Sequence, residues 1–293
     1  MDFTDGVVNA FGPGASPRIR EVMTALIRHS HAFVREVNLT TDELMQALRV
    51  VNLAGRLSDD KHDECLLLID VLGLESLVDD ITLGSSEAAT SSAILGPMWR
   101  ADAPTRENGS TISFDTPADA EMVLMRGSVV DSNTGEPLPG ASVDVWQAST
   151  NGEAFITIIG WTRFLTGIGL YEQQDPQQKE FNLRGVFKTD SDGRYSFYCI
   201  RPTAYPIPSD GPTGRLLRLM DRSGWRPAHI HLMVHAEGHK SVVTQIFDEE
   251  CEYINNDTAF AVKDDLKVRF KPRQGDPDAK LELEYDILLD PAD

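Results

Sequence analysis

The segment with the clearest chemistry is Arg226-Pro227-Ala228-His229-Ile230-His231. Side chains two apart on a β-strand project to the same face. His229 and His231 would therefore present two imidazoles to one point, enough to begin a metal site. A histidine pair without metal, buried or on the surface, is the plainer reading. His235 falls on the same face by alternation, further along, and reads as a residue behind the site or on the surface. Upstream, Tyr205 stands between Pro202 and Pro206, where the backbone is restricted. A rigid loop suits a catalytic phenol, although a tyrosine on a proline-rich turn is the commoner case. No cysteine lies near the pair and no HExxH pattern occurs. A zinc hydrolase with His235 as third ligand and a β-sandwich binding module without metal both stay open on these residues.

These groups need strands to hold them, and the sequence supplies strands after Ile94. MVLMRGSVVD, ASVDVWQAS, GVFKTD, GRYSFYCI, HIHLMVHA and SVVTQIF are short runs rich in Val, Thr and aromatics. SNTGEPLPG and TDSDG between them are turns, and Asp192-Gly193 is a hairpin signal. Many short strands with such turns predict a β-sandwich, and LELEYDILL near the C-terminus reads as a last strand. Residues 1–90 read instead as helical. Ser16-Pro17 is a helix start, and Ile19, Val22, Met23, Leu26, Phe33, Val34 and Val37 follow on one face. Thr40 and Glu43 have capping-box spacing ahead of Leu44, Leu48 and Val51. A third apolar segment, ECLLLIDVLGLESLV, runs from Glu64 to Val78. Such stripes are either core or a subunit interface.

Composition narrows the partners. The chain has 293 residues, 41% hydrophobic, with a formal net charge of -19. Phosphate binding needs clustered Lys and Arg, so nucleic acid and anionic membrane are excluded as natural partners. Cys65, Cys199 and Cys251 are odd in number and widely spaced, which predicts free thiols in a reducing compartment. The N-terminus has no apolar signal region, and no stretch approaches the roughly 20 apolar residues of a membrane span. The expectation is a cytoplasmic protein.

Taken in order, SSAILGPMWR, VVDSNTGEPLPGASVDVWQAS, FNLRGVFKTDSDGRYSFYCIRPTAYPIPSDGPTGRLL, RPAHIHLMVHAEGH and VVTQIF resemble the intradiol ring-cleaving dioxygenases over residues 17–270. The resemblance implies an α+β fold, with an N-terminal helical dimerisation region (1–90) before an antiparallel β-sandwich catalytic domain (91–293). It implies one non-haem Fe(III) per chain, held by two tyrosines and two histidines. His229 and His231 match the imidazole ligands, Tyr205 the second tyrosine, and Tyr171 the first, which follows a WxAxxxGxY motif. Phenolates are hard anionic donors and suit a hard trivalent cation. Tyr205 would also accept a proton from the substrate, Arg226 would stabilise negative charge on the ring, and Gln245 matches a polar residue beside them. The product would be a muconate-type diacid made with O2. The family further implies a homodimer through the helices, and this subgroup can hold a phospholipid there.

Tyr205-Pro206-Ile207-Pro208 and Ala93-Ile94-Leu95-Gly96-Pro97 look more like hydroxyquinol-type than catechol-type members. The expected substrate is hydroxyquinol (benzene-1,2,4-triol), giving 3-hydroxy-cis,cis-muconate or maleylacetate. The alternative is catechol, giving cis,cis-muconate. By position Leu67, Asp70, Ile94, Gly96, Pro97, Met98, Ile207, Pro208 and Ala259 would line the pocket, with Asp70 accepting from a third ring hydroxyl. One departure stands out. Deleting Glu153–Gly169, seventeen residues, restores the family spacing WQASTNGLYEQQDP. The segment is apolar and a whole number of codons, and it opens at Gly152-Glu153, a pair whose codons can resemble a splice donor. It reads as a retained intron of a eukaryotic gene, or as a real insertion folded into a lid or interface hairpin that could misplace Tyr171.

Overall fold

The computed structural model describes residues 2–60, 62–83, 88–118, 120–158, 161–208 and 210–292, with the side chains of 151–168 excepted. By contacts the chain divides into two compact units, Met1–Asn52 and Leu53–Asp293. The first holds α1 (Phe3–Val8), α2 (Pro17–Glu36) and most of α3 (Thr41–Leu57). Ser16 caps α2 through its Oγ, which accepts from the Ile19 amide at 3.3 Å, with Pro17 in the first turn. At the start of α3, the Thr40 amide donates to Glu43 Oε2 at 2.8 Å and the Glu43 amide to Thr40 Oγ1 at 3.3 Å. This reciprocal pair satisfies two backbone donors that the helix itself leaves unpaired.

In the second unit the apolar segment after Glu64 is two helices, α4 (Glu64–Val71) and α5 (Leu74–Leu83). Gly73, at φ +70°, ends the first with its amide donating to the Asp70 carbonyl at 2.9 Å. The strands follow in chain order: β1 (Met122–Asp131), β2 (Ser142–Trp146), β3 (Ser149–Ile158), β4 (Trp161–Leu170), β5 (Arg184–Lys188), β6 (Arg194–Ile200) and β7 (Tyr205–Pro206). Next come α6 (Pro212–Leu219), β8 (Trp225–Arg226), β9 (His229–His235), β10 (Val242–Asp248), β11 (Lys267–Val268), β12 (Lys271–Pro272), β13 (Leu281–Glu284) and β14 (Ile287–Leu289). No described helix is long and apolar enough to cross a membrane.

Two five-stranded sheets form the sandwich. One has the order β11-β10-β9-β2-β5; the other joins β12, β13, β1 and β14, with β6 also on β1. Val123, Met125 and Phe197 from the second sheet share a buried core with Val143, Phe187, Ile230, Leu232 and Ile246 from the first. The sheets are mixed in one respect where strict antiparallel pairing was expected: β1–β13, β1–β14 and β10–β11 are parallel. The run LELEYDILL supplies both β13 and β14, in one register along β1. The Asp192-Gly193 turn forms, but the strands it joins do not pair. β5 lies on β2 and β6 on β1, so the chain crosses from one sheet to the other there.

The extra segment forms a two-stranded arm of its own, β3 with β4, closed at its base by the pair Ser149↔Leu170. Residues 159 and 160 and the side chains of 151–168 lie outside the described structure. At the base, a Cβ on Gly169 would sit 2.8 Å from Tyr205 Cβ, so that position requires a glycine. Removing 153–169 would leave Thr150-Asn151-Gly152 as a three-residue loop between the paired Ser149 and Leu170, with Gly152 taking the place of Gly169. Three-residue loops are common hairpin connections. The deletion variant is expected to fold, with unchanged far-UV circular dichroism apart from the lost strands and a cooperative thermal transition. An insoluble or non-cooperative product would mean that the arm is integral to the fold.

Candidate metal centre

Alternation along β9 sorts its side chains. Ile230, Leu232 and Val234 enter the sandwich core, so His229 and His231 face outward from that sheet. On this outer face Trp146 of β2, His231 of β9 and Gln245 of β10 stand in one cross-strand row. Both histidines are buried nonetheless, because loops cover the face. Tyr171 arrives just after β4; its amide donates to Gln174 Oε1 at 3.0 Å and its carbonyl accepts from the Gln174 amide at 2.9 Å. Its neighbour Glu172 is fixed by Arg184 at 2.8 Å and Arg100 at 3.1 Å. Tyr205 comes from the proline loop, in a two-residue ladder that sets it opposite Arg226.

Four donor atoms converge. Tyr171 Oη lies 3.3 Å from Tyr205 Oη, which lies 3.4 Å from His229 Nε2, which lies 3.1 Å from His231 Nε2. His229 Nδ1 donates to the Pro227 carbonyl at 2.6 Å, which leaves a lone pair on its Nε2. Burial, with Arg226 next, lowers His229 to about 3, and burial and His229 hold His231 well below the usual imidazole range. Both rings are therefore neutral, the form that binds a metal. Burial pushes both phenols up, with Tyr205 adding to the effect on Tyr171 and Arg226 opposing it on Tyr205. Crowded neutral phenols and imidazole lone pairs want a cation among them, and a hard trivalent ion would turn the phenols into phenolate ligands. The donor set fits Fe(III). His235 stays apart on the surface, bonded to Ser241 Oγ at 2.9 Å, so it supplies no third imidazole.

Arg226 is buried beside these donors. It forms a two-point pair with Asp257 at 3.0 and 3.1 Å, donates to Gln245 Oε1 at 2.7 Å, and reaches His229 Nε2 at 3.3 Å. Burial opposes its charge, but Asp257 overrides that and holds the guanidinium above its ordinary range. Arg226 is thus both a structural ion pair and a neighbour of the donors. Gln245 is fixed from its other end by the Ile94 carbonyl at 2.6 Å.

A narrow pocket opens against Tyr205 and Arg226. Leu67, Asp70, Pro97, Met98, Ile207, Pro208 and Ala259 line it, together with Gln174. Two of the positions expected there are not among the lining residues. Ile94 is buried with Phe247 and Ala259, and Gly96 lies against His231. Asp70 is 1% exposed. Asp70 Oδ1 and Glu75 Oε2 each lack a protein donor among the described residues, while Glu75 Oε1 accepts from the Leu95 amide at 2.8 Å. Two carboxyl groups can bond to each other only if one carries a proton. Burial, then the hydrogen bond and charge of Glu75, push Asp70 up to about 9, so Asp70 carries it.

Sequence reasoning missed Asp257, Glu75 and Trp146. Asp257 had a faint signal: it follows Asn255-Asn256 in a turn, and a buried arginine demands a carboxylate. Glu75 lies in an apolar helical run and Trp146 in a strand run, and nothing in their spacing marks either of them.

Comparison with known proteins gives a consistent picture. A family model described as "Catechol dioxygenase N terminus" matches residues 16–90, and one described as "Dioxygenase" matches 164–291. An intradiol ring-cleavage dioxygenase of Aspergillus niger is 44% identical over 292 residues, covering 98% of this chain and 87% of the relative. A catechol 1,2-dioxygenase of Candida albicans is 43% identical over 295 residues, covering 98% and 91%. Among solved structures, a hydroxyquinol 1,2-dioxygenase of Pseudomonas putida superposes with a TM-score of 0.81 at 33% identity, covering 99% of this chain and 97% of that one.

The protonated Asp70 sets a pH dependence. Its pKa rises from 3.8 to about 9 on folding, so its contribution to stability is full below pH ~4. That contribution shrinks as pH rises, because only the unfolded chain then gains by ionising, and it is gone above about pH 9. Asp70→Asn cannot ionise. Its thermal midpoint should match the unmodified protein at pH 4 and exceed it by several degrees at pH 8. A difference that does not change with pH would mean that Asp70 is already ionised in the folded chain.

Proposed function

The chain belongs to the intradiol ring-cleavage dioxygenases, and on that premise we propose that it opens hydroxyquinol with O2, using one Fe(III) per chain, to give 3-hydroxy-cis,cis-muconate or its tautomer maleylacetate. The observation that carries the substrate is Asp70: a buried, proton-bearing carboxyl in the wall of the pocket that holds Tyr205 and Arg226. A catechol ring has nothing to offer such a group, whereas a third hydroxyl does. A third hydroxyl that bonds to this buried carboxyl adds an interaction that catechol cannot make, which favours hydroxyquinol.

Tyr171, Tyr205, His229 and His231 would hold the iron, which supplies a Lewis acid for the two adjacent ring oxygens. The protein's own groups do the rest. Tyr205, once ionised as an iron ligand, would take the proton of one ring hydroxyl. Arg226, held by Asp257 and Gln245, keeps a fixed positive charge where the ring becomes electron-rich, so no reorganisation is needed as that charge develops. Leu67, Pro97, Met98, Ile207, Pro208 and Ala259 exclude water and press on the faces of a flat ring.

A second reading, catechol cleaved to cis,cis-muconate, is favoured by the Candida albicans relative named for that activity. Oxygen uptake with the two substrates side by side separates them. Hydroxyquinol is expected to give the larger kcat/KM, and Asp70→Ala to lower it about tenfold or more while changing catechol little. Equal losses on both substrates would remove Asp70 from substrate choice. Uptake only with catechol would establish the second reading. An iron content near one per chain is expected, and near zero would favour a metal-free binding module.

The helices suggest the assembly. Ile19, Leu26 and Phe33 of α2 and Leu44, Leu48 and Val51 of α3 are exposed apolar side chains at helical spacing. Such faces are costly in water, and the occupant proposed is a second copy of this chain. Light scattering should give about twice 32.4 kDa. A mass of one chain would overturn the dimer, and lipid extraction of the same sample tests for a phospholipid between the copies.

A further inference from the structure

The two histidines at the centre are held by different means. His229 has the usual arrangement for a ligating imidazole: one nitrogen faces the donor cluster and the other donates to a carbonyl, Pro227 at 2.6 Å. That bond selects the tautomer and stops the ring turning. His231 has no such bond. Its Nε2 lies in the cluster, but no described protein group lies within hydrogen-bonding reach of its Nδ1, although the residue is only 1% exposed. Among the described protein groups, what bears on its orientation is packing.

Two contacts supply it. The indole of Trp146 lies over the imidazole, with ring centroids 4.6 Å apart and planes within 11°. This offset stack follows from the register, because Trp146 and His231 are direct cross-strand partners on β2 and β9. A Cβ added at Gly96 would lie 3.3 Å from His231 Cε1, so nothing larger than glycine fits there without moving the ring. Trp146 is itself buried with Met98, Ala148 and Tyr171, and its Nε1 has no described protein partner. The indole is thus placed for its face and bulk, with its polar atom left unused.

We propose that Trp146 is a positioning residue for His231: its indole face, backed by the absence of a side chain at Gly96, holds the imidazole with Nε2 toward the donor cluster in place of the missing hydrogen bond. The proposal rests on the reading of Tyr171, Tyr205, His229 and His231 as metal donors. It assigns Trp146 a role in metal binding without contact to the metal or the substrate.

The test uses the full-length chain loaded with iron, supplied as a ferrous salt in air. Three readouts are taken: iron retained against a competing chelator, the visible phenolate-to-Fe(III) absorption, and the thermal transition. Trp146→Leu keeps apolar bulk but removes the aromatic face; Trp146→Phe restores a face. Trp146→Leu is expected to weaken iron retention by about ten- to a hundredfold, the usual cost of losing a group that orients a ligand, and to shift the visible band. Trp146→Phe should recover most of both. Retention and spectrum unchanged in Trp146→Leu would overturn the proposal, as would a Trp146→Phe variant as impaired as Trp146→Leu. Should Trp146→Leu fail to fold, Gly96→Ala probes the opposite face. Weaker iron retention there, with a normal thermal transition, supports the clamp, and unchanged retention overturns it. An unmodified protein with neither iron nor a visible band would refute the donor assignment itself, an outcome distinct from the failure of Trp146 alone.

Discussion

Everything at the centre of this protein depends on the two-residue period of β9. One face of that strand is fully apolar and buried against the opposite sheet through Ile230, Leu232 and Val234. Slipping the strand by one residue would drive His229 and His231 into that core and expose the apolar set. The sandwich therefore fixes which way the imidazoles point before any metal is considered. The neighbouring strands extend the arrangement. Register with β2 and β10 sets Trp146 and Gln245 on either side of His231, so the sheet builds the floor and both flanks of the site. The phenols need no strand of the sandwich. Tyr205 is delivered by a loop stiffened by prolines and pinned opposite Arg226, and Tyr171 by a turn closed on Gln174.

A site this buried must also balance its charges. Arg226 faces Asp257, and Arg184 faces Glu172, each pair shielded from water. A buried charge without a partner typically costs about 3–5 kcal/mol, so these pairs hold each other in place. Arg226 in particular cannot swing away, since Asp257 and Gln245 take its other donors. Asp70 is balanced differently, by keeping its proton and bonding to Glu75. The centre thus contains neutral imidazoles, neutral phenols and a neutral carboxyl, flanked by the Arg226–Asp257 and Arg184–Glu172 pairs. That is an environment in which an added trivalent cation and an electron-rich ring find complementary partners.

The arm formed by residues 153–169 shows how an insertion can leave such a site intact. Its base is the pair Ser149↔Leu170, and Tyr171 follows at once with its oxygen 3.3 Å from that of Tyr205. With the segment present, Tyr171 still lies beside Tyr205. Chain added at the tip of a hairpin changes loop length and not the position of the strand ends, a cost that grows only slowly with length.

Much of this was written locally. The helix starts at Ser16-Pro17 and Thr40–Glu43, the strand runs, the shared face of His229 and His231 and the stiffness around Tyr205 all follow from spacing and backbone sterics within a few residues. Those features are set by neighbours in the chain, and a sequence displays neighbours directly. Other features depended on partners far away in the chain. The Asp192-Gly193 turn has the same local chemistry whether its strands pair or part, and only the competition between sheets sent β5 to β2 and β6 to β1. The parallel addition of β13 and β14 along β1 is likewise a matter of where the chain returns. Asp257 beside Arg226, Glu75 beside Asp70 and the indole of Trp146 over His231 are meetings of residues that no spacing announces, because burial and cross-strand register decide them. The sequence by itself determined which groups could do the chemistry and which faces they share; tertiary packing decided what holds each of them still.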